Sequence, residues 1–308
     1  MTPRTKPSAR IEWQEPRVSR DAAQRDLIES MLVEFCEEPP EDASLGRIAV
    51  TTDSFAMAPL FFPGGNIGDL AVHGTVNDLA VSGATPRYLV VRLVVEDGFP
   101  VDDLRRVARS IGNAAGDAGM RLVSGGADVV AKGEATGCRI DTTGVGTLNG
   151  THRLGVSRAR PGDAVLVTGP VGDHGVAVLL GQDDQSTAAD VVSDTAALHG
   201  LAEPVLAAAS GVRALRCPAR GGVAAVLDEI TRSSGTSMAL EENAIPVRAR
   251  VRTASELLNI DPLHVACAGR AVVVVDGAQA QAALTAMRSH PLGERAAIIG
   301  RITAPDVT

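Results

Sequence analysis

Aromatic residues are nearly missing from this chain, at 2% of 308 residues. Its cores must therefore be filled by Val, Ala, Leu and Ile, and stacking on nucleic-acid bases has little to draw on. Long hydrophobic runs are missing too. Stretches such as Ala271 to Val275 fall far short of the roughly 20 residues that span a bilayer as a helix. Basic charge is not in excess: 29 Lys and Arg face 37 Asp and Glu, for a formal net charge of -8. Such a surface has no general attraction for polyanions, so neither nucleic acid nor membrane is an expected partner. Cysteine is scarce. Cys36, Cys138, Cys217 and Cys267 have no close metal-ligand spacing, and a reduced, cytoplasmic protein is expected. The start, MTPRTKPSAR, has no apolar stretch behind it, so it does not read as a signal peptide.

Hydrophobic residues make up 45% of the chain, which excludes wholesale disorder. The length suits two domains. Residues 1–20 are polar, with three prolines, and read as a flexible arm. Leu27, Ile28, Met31, Leu32 and Phe35 recur at helical spacing, which predicts a helix over 21–37. A strand is expected over 48–52 with Asp53 at its end. A glycine loop (60–68), a helix (70–81) and a buried strand (88–95) follow. Next come a helix over 100–119, a strand from Leu122 that Gly125–Gly126 should break, and a strand over 140–148. The polar connector 149–163 places a boundary near 155. The expected division is an arm at 1–20, a first domain at 21–155 and a second at 156–304. The second half reads as strand 164–168, a helix after VGDHG and a helix at about 194–210. A helix after CPARGG, a helix over 247–258, strand 271–275, helix 278–289 and strand 297–300 complete it. Strands and helices alternate throughout, which argues for α/β or α+β layers.

The polar candidates are few. Asp53 is either a strand-end cap or a site residue. Asn77–Asp78 interrupts an apolar helical stretch, so the pair either faces solvent or reaches into a site. Carboxylates suit Mg²⁺, a hard ion that prefers oxygen, and two or more are wanted near bound phosphates. PGGNIG and CPARGG lack the ending of a P-loop. Their glycines, Gly64, Gly65, Gly221 and Gly222, could still expose N–H groups to phosphate at a helix start. Arg220 is either an anion contact beside them or a solvent-facing arginine in a tight turn. His174, in GDHG, is a ligand, a catalytic acid or base, or a cap. The four cysteines have no inferable acid–base partner and read as structural.

The segment TTDSFAMAPLFFPGGNIGDLAVHGTVNDLAVSGATPRYL, residues 51–89, resembles the hydrogenase-maturation carbamoyl dehydratase (HypE) family, within the wider AIR synthase-related, PurM-like superfamily. The resemblance continues through EDGFPVDDL, GDHGVAVL, RGGVAAVLDEI, IPVR, LLNIDPLHVA and MRSHPLGERAAIIG, so that it covers about 45–303. It implies a PurM-like α/β (α+β) fold of two domains, the first contributing to a β-barrel across a homodimer and the second α/β. It implies ATP and Mg²⁺, with Asp53, Asn77, Asp78 and Arg220 around them and His174 as the catalytic candidate. It also implies a reaction in which a carbamoyl group on a C-terminal cysteine is dehydrated to a cyano group. The implied partners are a maturation carbamoyltransferase and a scaffold protein.

Several positions depart from the family pattern. The N-terminal glycine-rich segment and GDDAA have no clear match beyond Asp42. The usual TGDTKVV reads SGGADVV, with Gly126 and Asp128 at the altered positions. DPTRGG reads CPARGG, with Cys217 and Ala219, and NEG reads CAG, with Ala268. The sequence closes on RITAPDVT, so no carrier cysteine is expected. Two functions stay open at this point. One is a HypE-like maturation enzyme. The other is a non-catalytic relative serving as a binding or assembly subunit, paired with an intact paralogue. A related enzyme acting on a small carbamoyl or amide substrate is a further alternative.

Overall fold

The computed structural model describes residues 47–148, 150, 152–182 and 191–305. The expected arm over 1–20, the helix over 21–37, Cys36 and Asp42 lie outside the described residues.

The chain enters strand β1 (Ile48–Ala56), makes a short hairpin of β2 (Phe61–Phe62) and β3 (Gly65–Asn66), and turns into helix α1 (Ile67–Val81). Asn66 starts that helix with a capping box: its side chain accepts from Gly68 N, and Asp69 accepts from Asn66 N. Two otherwise unsatisfied donors are thereby paired. Strand β4 (Ala84–Glu96), helix α2 (Val101–Asp117), and strands β5 (Arg121–Val130) and β6 (Cys138–Leu148) follow. The sheet order is β1-β6-β4-β5, with β4 and β5 parallel and the other pairs antiparallel. One face of the sheet is covered. Ile67, Val72, Val76 and Leu79 of α1 pack with Leu89, Val91 and Ile140 of the strands, and Val107 and Ile111 of α2 close the layer.

Three expectations are corrected here. The sheet is open, with β1 and β5 as its edges, so the expected β-barrel is overturned. Four strands are too few to curl around a core of side chains. Asp53 does not end its strand but lies within β1, opposite Thr142. Gly125 and Gly126 do not break β5; they pair with Val91 and Arg92. An edge strand takes its pairing from one neighbour through the backbone, and glycine has the same backbone groups as any other residue.

The second half builds a five-stranded antiparallel sheet from β7 (Ala164–Val167), β8 (Val212–Arg216), β9 (Ser237–Leu240), β10 (Val272–Val275) and β11 (Ala297–Thr303). Its order is β8-β10-β7-β11-β9. Sequence reading misses β8 and β9. Helices α3 (Asp173–Gln182), α4 (His199–Ala208), α5 (Gly222–Ser234), α6 (Ala249–Leu258) and α7 (Ala280–Arg288) complete the chain. The run of four valines in β10 is buried on both faces. Val273 and Val275 meet α4 and α7, whereas Val272 and Val274 meet α5. Alternate residues of a strand point to opposite faces, so an unbroken apolar run marks a strand covered on both sides. Helix α1 leans on this half too: Ala80 and Val81 belong to the core beneath α4.

Gly222 opens α5 at φ +65°, and a Cβ there would lie 2.3 Å from Leu263 O and 2.6 Å from Val265 O. Gly235, beyond the end of α5, has φ +64°, and a Cβ there would meet nothing within 4 Å. Gly235→Ala should therefore cost about 1–2 kcal/mol from backbone strain alone. Gly222→Ala should cost at least about 2 kcal/mol more, because two carbonyls must move. Urea denaturation of the two variants checks the difference, and equal losses would refute the close approach at Gly222.

Candidate functional site

Helix α1 crosses the covered face of β1 and β6 at very short range. Gly144 of β6 permits this, since a Cβ there would lie 2.5 Å from Thr75 Cγ2 and 3.1 Å from Leu79 Cδ1. Thr75 Oγ1 is also 2.7 Å from Thr142 Oγ1. The close contact brings Asp78 of α1 down to β1. Thr51 Oγ1 donates to Asp78 Oδ2 at 3.4 Å, and Asp53 is the next residue on the same face of β1, two positions along.

Asp53 and Asp78 form a close acidic pair, and the Asp78 carboxyl is strongly perturbed. Burial first, then the Asp53 charge and hydrogen bond, raise the Asp78 carboxyl to about 7, against the opposing pull of Thr51 and Arg216. Two carboxylates this close resist ionising together. When both are ionised neither can donate, and Asp53 Oδ2 is buried without a hydrogen-bond partner. A proton on Asp78 supplies the missing donor. A cation would satisfy the same oxygen.

The C-terminal half approaches the pair through the end of β8. Arg216 is close enough to favour the ionised form of Asp78, and it is tied to Glu229 at 3.1 Å. Cys217 follows, half-buried. Burial, and then the Asp78 charge, push its thiol far up, so it stays neutral. Among the described residues, no group of three or more His, Cys, Asp or Glu is placed to hold a metal ion. What remains is a site of two carboxylates.

The other expected residues lie elsewhere in the network. Asn77 is buried, and its amide is engaged by backbone: Nδ2 donates to Ala196 O (3.0 Å) and Ala268 O (3.1 Å), and Oδ1 accepts from Leu198 N (2.7 Å). His174 sits in the first turn of α3, with Nδ1 2.8 Å from Ser193 Oγ and its ring edge-on to Phe62. Burial lowers it to about 4, so it is neutral near pH 7. Arg220 is exposed in the turn before α5. Gly221 and Gly222 take left-handed conformations in that turn. Gly64, at φ +96°, is pressed against Val192 and Ser193, and Gly65 lies against Asp69. These glycines serve close packing. Asp128 pairs with Arg92 on the exposed edge, and a Cβ at Gly126 would meet nothing within 4 Å.

Several neighbours of the site escape sequence reading. His73 Nδ1 is 3.0 Å from Thr195 Oγ1, and burial lowers its pKa. Asp173 is paired with Arg248. Asp194 accepts from Ala268 N at 2.9 Å and lies 3.5 Å from Arg270 Nε. A hollow of about 410 Å³ opens over Asp173, Asp194, Arg248 and Arg250. The one signal in the sequence is an acid beside short polar residues, as in SDTAAL, and it does not reveal which partner is met.

Known proteins share this arrangement of elements. Residues 40–148 match the N-terminal domain of the AIR synthase related protein family, and residues 160–308 match its C-terminal domain. The carbamoyl dehydratase HypE of Rhizobium leguminosarum bv. viciae is 47% identical over 262 residues, which cover 85% of this chain and 75% of that protein. This chain belongs to the HypE family. Two solved HypE-family structures superimpose on it. The HypE–HypF complex does so with a TM-score of 0.84 at 40% identity, covering 90% of this chain and 93% of that one. HypE in complex with ATP gives 0.82 at 39% identity, covering 93% and 88%. No helix among the described residues is long and apolar enough to cross a membrane.

The Asp78 carboxyl in this HypE-family chain holds a proton that the unfolded chain releases between pH 3.8 and about 7. Folding is therefore penalised progressively as pH rises through that window. Asp78→Asn should flatten the fall in stability, by at most about 1.4 kcal/mol per pH unit. Urea titrations at about pH 5 and about pH 8 measure the slope. An unchanged slope in the variant would show that Asp78 is not the proton holder.

Proposed function

We propose that this chain performs ATP-dependent dehydration of a carbamoyl group to a cyano group, in the maturation of a hydrogenase or a related metal centre. The observation that carries this reading is the facing Asp53–Asp78 pair with its buried, unpartnered oxygen, set in a fold shared with HypE in complex with ATP. Mg²⁺ is commonly held by one or two carboxylates together with substrate phosphates, so the residues present fit it. Asp53 and Asp78 would hold the ion. Bound Mg·ATP supplies the phosphoryl group that turns a carbamoyl oxygen into a leaving group. With such an ion bound Asp78 would be ionised; Thr51 donates to its carboxyl and Arg216 keeps positive charge close by. His174 anchors the Ser193 segment in this reading. A carbamoyltransferase of the HypF kind is the proposed partner, because the HypE–HypF complex shares the fold over most of both chains. The division into two domains near residue 155 belongs to the same proposal.

A second reading is a binding or assembly subunit. Cys217 favours it, because a neutral thiol beside Asp78 adds no charge for a metal. Mg²⁺-dependent ATP hydrolysis decides between the two. The enzyme reading expects turnover that falls at least about tenfold in Asp78→Ala. Tight nucleotide binding with no hydrolysis, in the presence of the carbamoyltransferase and its carbamoylated product, would leave the subunit reading.

We also propose a homodimer, with the open face of the four-stranded sheet against a second copy. Ile48 and Val50 are 64% and 61% exposed there. Val50, Val145 and Tyr88 stand in register across three strands, a contiguous apolar row of the kind that marks interaction sites. Val50→Lys should convert a dimeric mass to a monomeric one in light scattering. A wild-type monomer would end this proposal.

A further inference from the structure

Residues 193–198 form a strap with no helix or strand pairing of its own. Other segments hold it almost residue by residue, through side chains and backbone. Ser193 Oγ meets His174, and Ser193 N donates to Pro63 O at 2.8 Å. Asp194 takes Ala268 N. Thr195 Oγ1 meets His73. Ala196 O and Leu198 N both bond to Asn77, which reaches Ala268 O as well. Asn77 thus ties three segments together: helix α1, the strap, and the turn before β10.

Its place on α1 gives that tie a consequence for the site. Successive residues on a helix project about 100° apart. Fixing the direction of Asn77 against the strap therefore fixes the direction of Asp78 on the opposite flank. Asn77 is 2% exposed and all three of its bonds go to backbone, so they locate α1 independently of neighbouring rotamers. The Asp78 side depends on a 3.4 Å bond from Thr51 and on the mutual approach to Asp53, which repels when both are ionised. The Thr75–Thr142 contact and the apolar packing of α1 set how closely the helix lies on the sheet, and the Asn77 bonds add the polar restraint on its other flank.

We infer that Asn77 is a positioning residue, locking the roll of α1 against the strap and the Ala268 turn so that Asp78 faces Asp53. The inference deepens the cation-site reading above and rests on it. Loss of the Asn77 bonds removes the polar restraint on that flank, so that α1 shifts within its packing and the two carboxyl groups separate.

The test uses the full chain with Mn²⁺ and a non-hydrolysable ATP analogue, with free Mn²⁺ followed by electron paramagnetic resonance. Asn77→Ala should weaken Mn²⁺ binding by about tenfold or more, as misplacement of a coordinating group does. Ser193→Ala loosens the same strap without touching α1, and its affinity should stay within about twofold of wild type. Thermal melts of both variants supply the control. If Ser193→Ala loses as much affinity as Asn77→Ala at a matched loss of stability, the role of Asn77 is merely structural. Unchanged affinity in Asn77→Ala overturns the inference as well. Crystal structures of wild type and Asn77→Ala give a readout that needs no cation. The Asp78 carboxyl should leave Thr51 and Asp53 in the variant, and an unmoved carboxyl refutes positioning even if wild type binds no Mn²⁺. Absence of Mn²⁺ binding by wild type refutes the cation site itself. Asn77→Asp keeps the acceptor for Leu198 and loses both donors, and it provides the same readouts should the alanine variant fail to fold.

Discussion

The close crossing of α1 over β1 and β6 is the constraint on which the site depends. Gly144 leaves room for Thr75, and the helix settles until Asp78 lies beside Thr51 and Asp53. Two carboxyl groups are then held where water is scarce and where ionising both is costly. A proton or a cation relieves that strain. The rest of the molecule fixes how steadily the arrangement is kept. Asn77 anchors the other flank of the helix to the strap and the Ala268 turn, and Arg216 brings a positive charge from the second sheet.

Burial decides the character of the groups around the pair. It holds His73 and His174 neutral and keeps the Cys217 and Cys267 thiols protonated. The other buried acids have partners, Asp173 in Arg248 and Asp194 in Arg270 and the Ala268 amide, yet burial still raises the pKa of both and each keeps one oxygen without a hydrogen-bond partner. Removing one member of such a pair leaves an uncompensated buried charge, which is far more costly than the pair itself. Of the Asp53–Asp78 pair, Asp53 Oδ2 is the oxygen left without a partner.

The scarcity of aromatics shapes the cores. Val, Ala, Leu and Ile fill both sheets, and small residues allow short distances between layers. Gly144 under α1 and Gly222 against the Leu263 and Val265 carbonyls are the extreme cases. The same chemistry leaves Ile48, Val50 and Tyr88 exposed on the open face of the first sheet, where no helix covers them.

Local pattern by itself determined the element types that bury one stripe or two faces: α1, α2, the valine run of β10 and the long strands β4 and β6. Periodicity reports burial directly, so these were legible. Family resemblance carried over the α/β plan and pointed to the acids Asp53 and Asp78, which the fold brings side by side. The tertiary structure decided the remainder. It kept the first sheet open, carried β5 through Gly125–Gly126, and placed Asp53 within its strand. It also separated the polar residues that the sequence had grouped. Asp78 faces Asp53, whereas Asn77, one residue before it, bonds to backbone 119 to 191 positions away. The reason is physical: an amide or carboxyl is defined by the partner it meets, and those partners lie in segments that no local spacing connects.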